Sequence, residues 1–164
     1  MVSESSFDIV SQFDRQELVN ALDQTKRELG FRYDFNNSKY EINLEKEELI
    51  IQAEDDYKMK AIIDIILAKL ISRKLDTRIL DLSASVEKAA GNTVRKKIKL
   101  IAGLNQEKAK EISKYINTGF KKVKASVQGE EVRVSSPSRD TLQEIIAGLK
   151  AKDFGVPLQF TNYR

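Results

Sequence analysis

The chain has 164 residues, 41 % of them hydrophobic and 32 % charged, with a net charge of +3, which is enough apolar material for one domain or two small ones. It contains neither cysteine nor histidine. That removes disulfide frameworks, thiolate and imidazole zinc sites, Ser-His and Cys-His nucleophile pairs and the usual base near neutral pH, leaving carboxylate, Lys, Tyr and Arg chemistry.

Met1–Ser6 is short and polar, with no basic or apolar leader pattern, so no signal peptide is expected. Phe7–Phe13 alternates, with Phe7, Ile9 and Phe13 on one face, and predicts a strand. Asp14 is placed as the N-cap of a helix through Leu18, Leu22, Thr25 and Leu29, with Gly30 as its C-cap. Tyr40, Ile42 and Leu44 alternate with polar residues, as do Leu49, Ile51 and Ala53, and Glu45–Glu48 joins the two as a hairpin turn. Asp55 or Asp56 caps a second helix with the stripe Met59, Ile62, Ile63, Ile66, Leu67, Leu70 and Ile71. The longest apolar run, Ala61–Leu67, is broken by Asp64 and is far too short to span a membrane. A strand around Arg78–Ala84 and a loop from Glu87 to Asn92 follow.

The order then repeats. Val94, Ile98 and Leu100 alternate with Arg95, Lys97 and Lys99 in a strand over Val94–Ile101, and Asn105 caps a helix carrying Ala109, Ile112 and Ile116 that closes at Gly119. Val123, Ala125 and Val127, a turn at Gly129, and Val132 with Val134 make a hairpin. Ser138 caps a helix with Leu142, Ile145, Ile146 and Leu149, and Pro157–Tyr163 is the last strand. The chain therefore reads as α+β, a βαββαβ unit written twice. Each unit is expected to close as a ferredoxin-like, four-stranded antiparallel sheet with two helices on one face. The other face is left open. In the second half it would display Lys122, Lys124, Ser126, Arg133, Ser135, Gln159, Thr161 and Tyr163, either as ordinary solvent-facing positions or as a platform for RNA.

No phosphate-binding GxxxxGK[ST] loop, G-x-G-x-x-G turn or aromatic RNP signature occurs. Glu54-Asp55-Asp56 reads as an acidic helix start and not as a metal site, and no cofactor is implied. Two clusters are richer. Arg32, Tyr33, Asp34 and Phe35, directly after Phe31, combine rings that can stack on a base with an arginine and a carboxylate suited to guanine. The last residues, Phe160, Asn162, Tyr163 and Arg164, form the other cluster. Residues 1–92 carry net −5 and 93–164 net +8, read either as chance variation or as an anion site on the second half. An acylphosphatase-like hydrolase on this fold would need a phosphate-cradling loop after the first strand, and Phe13-Asp14-Arg15 enters the helix directly.

The segments SFDIVSQFDRQELVNALDQTKRE, RYDF, KKVKASVQGEEVRVSSPSRDTLQEII and LQFTNYR resemble the YajQ family of small bacterial proteins over essentially the whole chain, with ends most similar to cyanobacterial members. The resemblance implies two ferredoxin-like domains that exchange their first strands: one of residues 14–101, the other of 1–13 with 102–164. Cut that way, the domains carry net +1 and +2, so the apparent charge asymmetry of the halves vanishes. It also implies a cytoplasmic, non-enzymatic nucleotide binder, a monomer whose ligand is cyclic di-GMP or GTP. Arg32, Tyr33, Asp34, Phe35, Lys122, Lys124, Arg133, Phe160, Asn162, Tyr163 and Arg164 are its candidate contacts, and the groove between the two sheets is the expected place. tRNA and a transcription regulator are the alternative partners. The chain departs from the family pattern at Asn36 and Asn37, and at Pro137, where many members have lysine.

Overall fold

The computed structural model describes residues 4–164; the first three residues of Met1–Ser6, where no signal peptide is expected, lie outside the described residues. In chain order the first elements are β1 (Ser5–Val10), α1 (Arg15–Phe31), β2 (Glu41–Leu44), β3 (Glu48–Ala53) and α2 (Asp56–Ser72). Then come β4 (Leu80–Asp81), β5 (Glu87–Ala89), β6 (Thr93–Leu100) and α3 (Gln106–Gly119). The last are β7 (Lys124–Gln128), β8 (Glu131–Ser136), α4 (Arg139–Ala151) and β9 (Gln159–Thr161). The fold is thus α+β, with four helices and two antiparallel sheets. Contacts divide the chain into two compact units, Phe13–Ile101 and a second made of the residues through Gln12 with Ala102–Arg164.

In the unit Phe13–Ile101 the sheet order is β2-β3-β6-β4, with β5 also pairing β6. The register sets Ile42 opposite Ile51 and Leu49 opposite Ile98, so period-2 alternation sends these side chains to the helix face. There they meet Leu18, Ala21, Leu22 and Leu29 of α1 and Met59, Ile62, Ile66 and Leu70 of α2, all buried in one core. Both helices start where the sequence supplies an acceptor. Asp14 Oδ1 accepts from the backbone N–H groups of Gln16 and Glu17 at 3.0 and 3.3 Å, and Asp55 Oδ1 from that of Lys58 at 2.7 Å. Each cap satisfies donors that a helix start leaves open.

Three expectations are corrected here. Gly30 lies inside α1, which runs to Phe31 and ends at Arg32 in extended conformation. The chain leaves the helix through a 3₁₀ turn, Tyr33–Phe35, and this turn swings Phe35 into the core. The stretch Glu87–Asn92 is not wholly loop, because Glu87–Ala89 pairs with β6 before a short 3₁₀ turn over Ala90–Asn92. This sheet therefore has five strands, not four. The strand expected around Arg78–Ala84 shrinks to Leu80–Asp81, since Thr77–Ile79 is a 3₁₀ turn capped by Asp76.

In the other unit the sheet order is β7-β8-β1-β9. Phe7 and Ile9 of β1 face the helices with Val132 and Val134 of β8, against Ile112 and Ile116 of α3 and Ile145 and Leu149 of α4. Asn105 caps α3 through Lys108 N–H at 2.8 Å, and Ser138 caps α4 through Thr141 N–H at 3.3 Å. Gly129 makes the β7–β8 turn at φ +61°, a conformation that disfavours residues with a Cβ. The amide of Asn117, late in α3, donates to Ala125 C=O at 3.1 Å and accepts from Ala125 N–H at 3.0 Å, occupying backbone groups of the edge strand β7. No helix among the described residues is long and apolar enough to cross a membrane.

Candidate functional site

The two clusters singled out in the sequence lie in different units and are built differently. In the unit Phe13–Ile101, Arg32 is clamped by Asp34. Arg32 Nε and Nη2 donate to Oδ1 and Oδ2 at 2.9 and 2.8 Å, a bidentate pair made by residues two apart. Each partner shifts the other: Arg32 holds the Asp34 carboxyl below the ordinary range, and Asp34 raises the Arg32 guanidinium. Phe35 is buried, edge-on to Tyr40 with ring centroids 5.7 Å apart, and lies beneath the Arg32 and Lys58 cations at 5.6 and 4.9 Å. Lys58 also donates to the Asp34 carbonyl and to Ser38 Oγ. Only Tyr33 stands clear, 93 % exposed beside Phe31 at 91 %. The segment is thus a local turn in which one ring anchors and the charges close on themselves. Glu54 and Asp55 are likewise occupied, by Lys39 N–H at 3.2 Å and by the α2 cap.

The open face of the second unit's sheet centres on Asp8, which is 3 % exposed. The register places Asp8 between Arg133 of β8 and Thr161 of β9. Arg133 Nε donates to Asp8 Oδ1 at 2.9 Å and Asn162 Nδ2 to Oδ2 at 2.8 Å. Hydrogen bonding from Arg133, opposed by burial and joined by Asn162, holds the Asp8 carboxyl below its usual range. Arg133 and Asn162 are therefore committed to a network that ties three strands together. Phe160 is also structural, packed edge-on against Phe7 at 5.9 Å. Asp8 escaped the sequence reading; a carboxylate amid the apolar run of Phe7–Val10 was the available signal. Lys122 and Lys124 stay exposed at the entry to β7, Lys122 with φ +59°.

Tyr163 and Arg164 meet something more open. The Arg164 N–H donates to Ser6 C=O at 3.0 Å and accepts in return at its own C=O from Ser6 N–H at 3.3 Å, which docks the C-terminal arm beside β1. Tyr163 leans on Phe7 at 6.1 Å yet remains 60 % exposed. Between this arm and the start of α4 lies a cleft of about 320 Å³, lined by Ser5, Ser6, Arg139, Gln143, Tyr163 and Arg164 over the buried Leu142. Arg139 Nε donates to Ser5 Oγ at 3.3 Å. Neither Arg139 nor Arg164 forms an ion pair among the described residues, and no carboxylate side chain lines the cleft. The Arg139 guanidinium, the Ser5 hydroxyl and the Tyr163 ring thus meet beside a helix N-terminus, in a cleft that Arg164 also lines, an arrangement suited to an anion that carries a flat ring. Arg139, 25 residues before Arg164, was invisible as a partner in the sequence; the antiparallel return of the last strand brings the two together.

The open sheet face of the unit Phe13–Ile101 is charge-balanced. Along β6, Lys99 stands opposite Glu48 and Asp81, and Arg95 opposite Glu87 with Nη2 and Oε2 3.7 Å apart.

The family profile described as "Nucleotide-binding protein YajQ-like" matches residues 5–164. A "Nucleotide-binding protein" of the cyanobacterium Acaryochloris marina is 49 % identical over the full length of both chains. One from Trichodesmium erythraeum is 48 % identical and one from Desulfitobacterium hafniense 44 % identical, each over the full length of both. With a profile match from β1 to the last residue and relatives this similar end to end, the chain belongs to the YajQ-like family.

Proposed function

We propose that this chain is a non-enzymatic, cytoplasmic nucleotide-binding protein whose ligand is a guanine nucleotide or cyclic di-GMP, held in the cleft between the C-terminal arm and α4. The carrying observation is Arg139, which forms no ion pair among the described residues, beside the exposed ring of Tyr163 in a cleft that Arg164 also lines. Phosphate oxygens would take the Arg139 guanidinium and the base would stack on Tyr163. Family membership and the relatives named as nucleotide-binding support the ligand class. Absence of histidine and cysteine supports binding over catalysis.

Isothermal titration with cyclic di-GMP, GTP and ATP is the test. At least one should bind, and Arg139→Ala and Arg164→Ala should each weaken it by about tenfold or more, the worth of one charge-assisted hydrogen bond of roughly 1.5–3 kcal/mol. No heat and no thermal stabilisation with all three would overturn the reading. If tRNA is bound instead, through the exposed Lys122 and Lys124, its affinity must fall steeply as salt rises. A partner such as a transcription regulator would show as a pulldown that changes when nucleotide is added.

We infer also that the two units are copies of one βαββαβ unit that have traded first strands. In each sheet the strand preceding the first helix in sequence is paired elsewhere, since β1 pairs β8 and β9 while β6 pairs β3 and β4. A fragment of residues 1–92 that unfolds cooperatively would refute this.

A further inference from the structure

The outer face of the helix pair in the unit Phe13–Ile101 is apolar where a solvated face should be charged. Of the seven large apolar side chains left exposed among the described residues, four, Phe31, Tyr33, Tyr57 and Ile71, stand on α1, on α2 or in the turn after α1. Tyr57 is 75 % and Ile71 65 % exposed. Helical spacing puts Tyr57, Ala61, Asp64, Ala68 and Ile71 on one stripe of α2, stepping by four and three residues. The buried Met59, Ile62, Ile66 and Leu70 occupy the opposite side, so α2 is apolar on two faces and only one of them is covered within the chain. Along the stripe a groove of about 440 Å³ runs between α1 and α2, its floor made of Ala61, Ala68 and the buried Ile65. Most charges on its walls are matched: Lys69 Nζ lies 3.0 Å from Glu28 Oε1, and Arg32 is held by Asp34. Lys60 and Asp64, one turn apart on the same wall, form no ion pair among the described residues.

A face that carries one unmatched cation and one unmatched anion complements its own copy turned about a two-fold axis. Antiparallel contact of two α2 helices would set the Tyr57 ring against Ala68 of the copy and Ala61 against the copy's Asp64, large side chain against small. Lys60, next to Ala61, then reaches the copy's Asp64, and the symmetric pair forms on the other side of the axis. The same contact carries Ile71 of each copy toward Phe31 and Tyr33 of the other. An acidic or a basic peptide would satisfy one of the two charges and leave the other facing a like charge, whereas a second copy satisfies both. We propose that this face is the interface of a two-fold symmetric dimer, occupied by a second copy of this chain, in place of the monomer that the family resemblance implies.

The test is sedimentation velocity of the full chain, without nucleotide, between about 5 and 500 µM, a span that resolves a weak dimer. A reversible passage from monomer to dimer is expected. Lys60→Asp and Asp64→Lys, both at exposed positions, should each weaken dimerisation at least about tenfold, because like charges then face one another across the axis. Their equimolar mixture should dimerise again, since the acidic face of one variant meets the basic face of the other. Tyr57→Ala should weaken the natural dimer by about tenfold or more, as the loss of an aromatic anchor does. Circular dichroism of each variant, unchanged from the natural chain, shows that the loss is one of association and not of folding. A chain that stays monomeric throughout, a dimer indifferent to the single charge reversals, or a mixture that fails to dimerise would each overturn the proposal.

Discussion

Each unit carries an aromatic–arginine cluster, and the two differ in where the charge ends. Arg32 is answered two residues later by Asp34, while Phe35 turns inward as a core side chain. Near the C-terminal arm, Asp8 absorbs Arg133 and Asn162, yet Arg139 is left beside a cleft without an ion pair. The same residue types therefore make a carboxylate-matched arginine in one place and, at Arg139, an arginine without an ion pair in the other. An arginine is available to a ligand only when the protein has not already matched it with a carboxylate, because the bidentate geometry is used once.

Breaking the closed cluster at its ring should give the largest effect. Phe35 is 4 % exposed and touches both the α1–α2 core and Tyr40. Phe35→Ala should cost about 3–5 kcal/mol in urea unfolding, the range for emptying a buried aromatic site. Its neighbour Tyr33, almost fully exposed, should change stability by no more than about 0.5 kcal/mol when made Ala. Equal mild effects from both would mean that Phe35 is not an anchor, and the contrast between the clusters would collapse.

Asp8 sharpens the other side. Asp8→Ala removes three hydrogen bonds to a buried carboxylate and leaves Arg133 without its partner, for an expected loss of about 1.5–3 kcal/mol. The native carboxyl titrates below its ordinary value because Arg133 and Asn162 bond to the charged form. The stability it contributes is therefore present above the unfolded-state pKa near 4 and is lost as pH falls through the lower native value. Urea midpoints between about pH 5 and pH 2 should fall more steeply for the natural chain than for Asp8→Asn. Parallel slopes would show that the Asp8 network carries no pH-dependent stability.

The fold was largely legible because its signals are local. Asp14, Asp55, Asn105 and Ser138 sit where a helix start needs an acceptor, and all four accept. Alternation in Glu48–Ala53 gave the buried set of β3 directly, whereas in β6 it gave Ile98 with Val94 and Leu100 half-buried and missed the buried Thr93. Failures came where distant residues decide. Gly30 offered a helix stop, but the helix runs on to Phe31 and the turn after it delivers Phe35 to the core. Glu87–Ala89 looks like loop because nothing in its own residues demands a strand; it is one because the edge of β6 is free to pair there. The candidate site was half legible. Tyr163 and Arg164 could be read from the sequence, but Arg139 joins them only through the docking of Arg164 on Ser6, and Arg133 drops out only once Asp8 is seen opposite it.

The smallest expected effect is the most discriminating for function. Arg32 and Asp34 are each more than a third exposed in their side chains, and exposed pairs contribute roughly 0–1 kcal/mol that salt screens further. Arg32→Ala should therefore shift the urea midpoint only slightly. Its effect on nucleotide affinity should be smaller still: for a ligand to use the Arg32 fork, it would have to displace Asp34 from contacts of 2.8 and 2.9 Å and leave that carboxylate next to phosphate. Side-by-side titration of Arg32→Ala and Arg164→Ala with one nucleotide decides the matter. A loss confined to Arg164→Ala places phosphate recognition on the open cluster. A tenfold loss in Arg32→Ala alone would mean that the ligand competes Asp34 away, and the arginine that looks spent would be the one that binds.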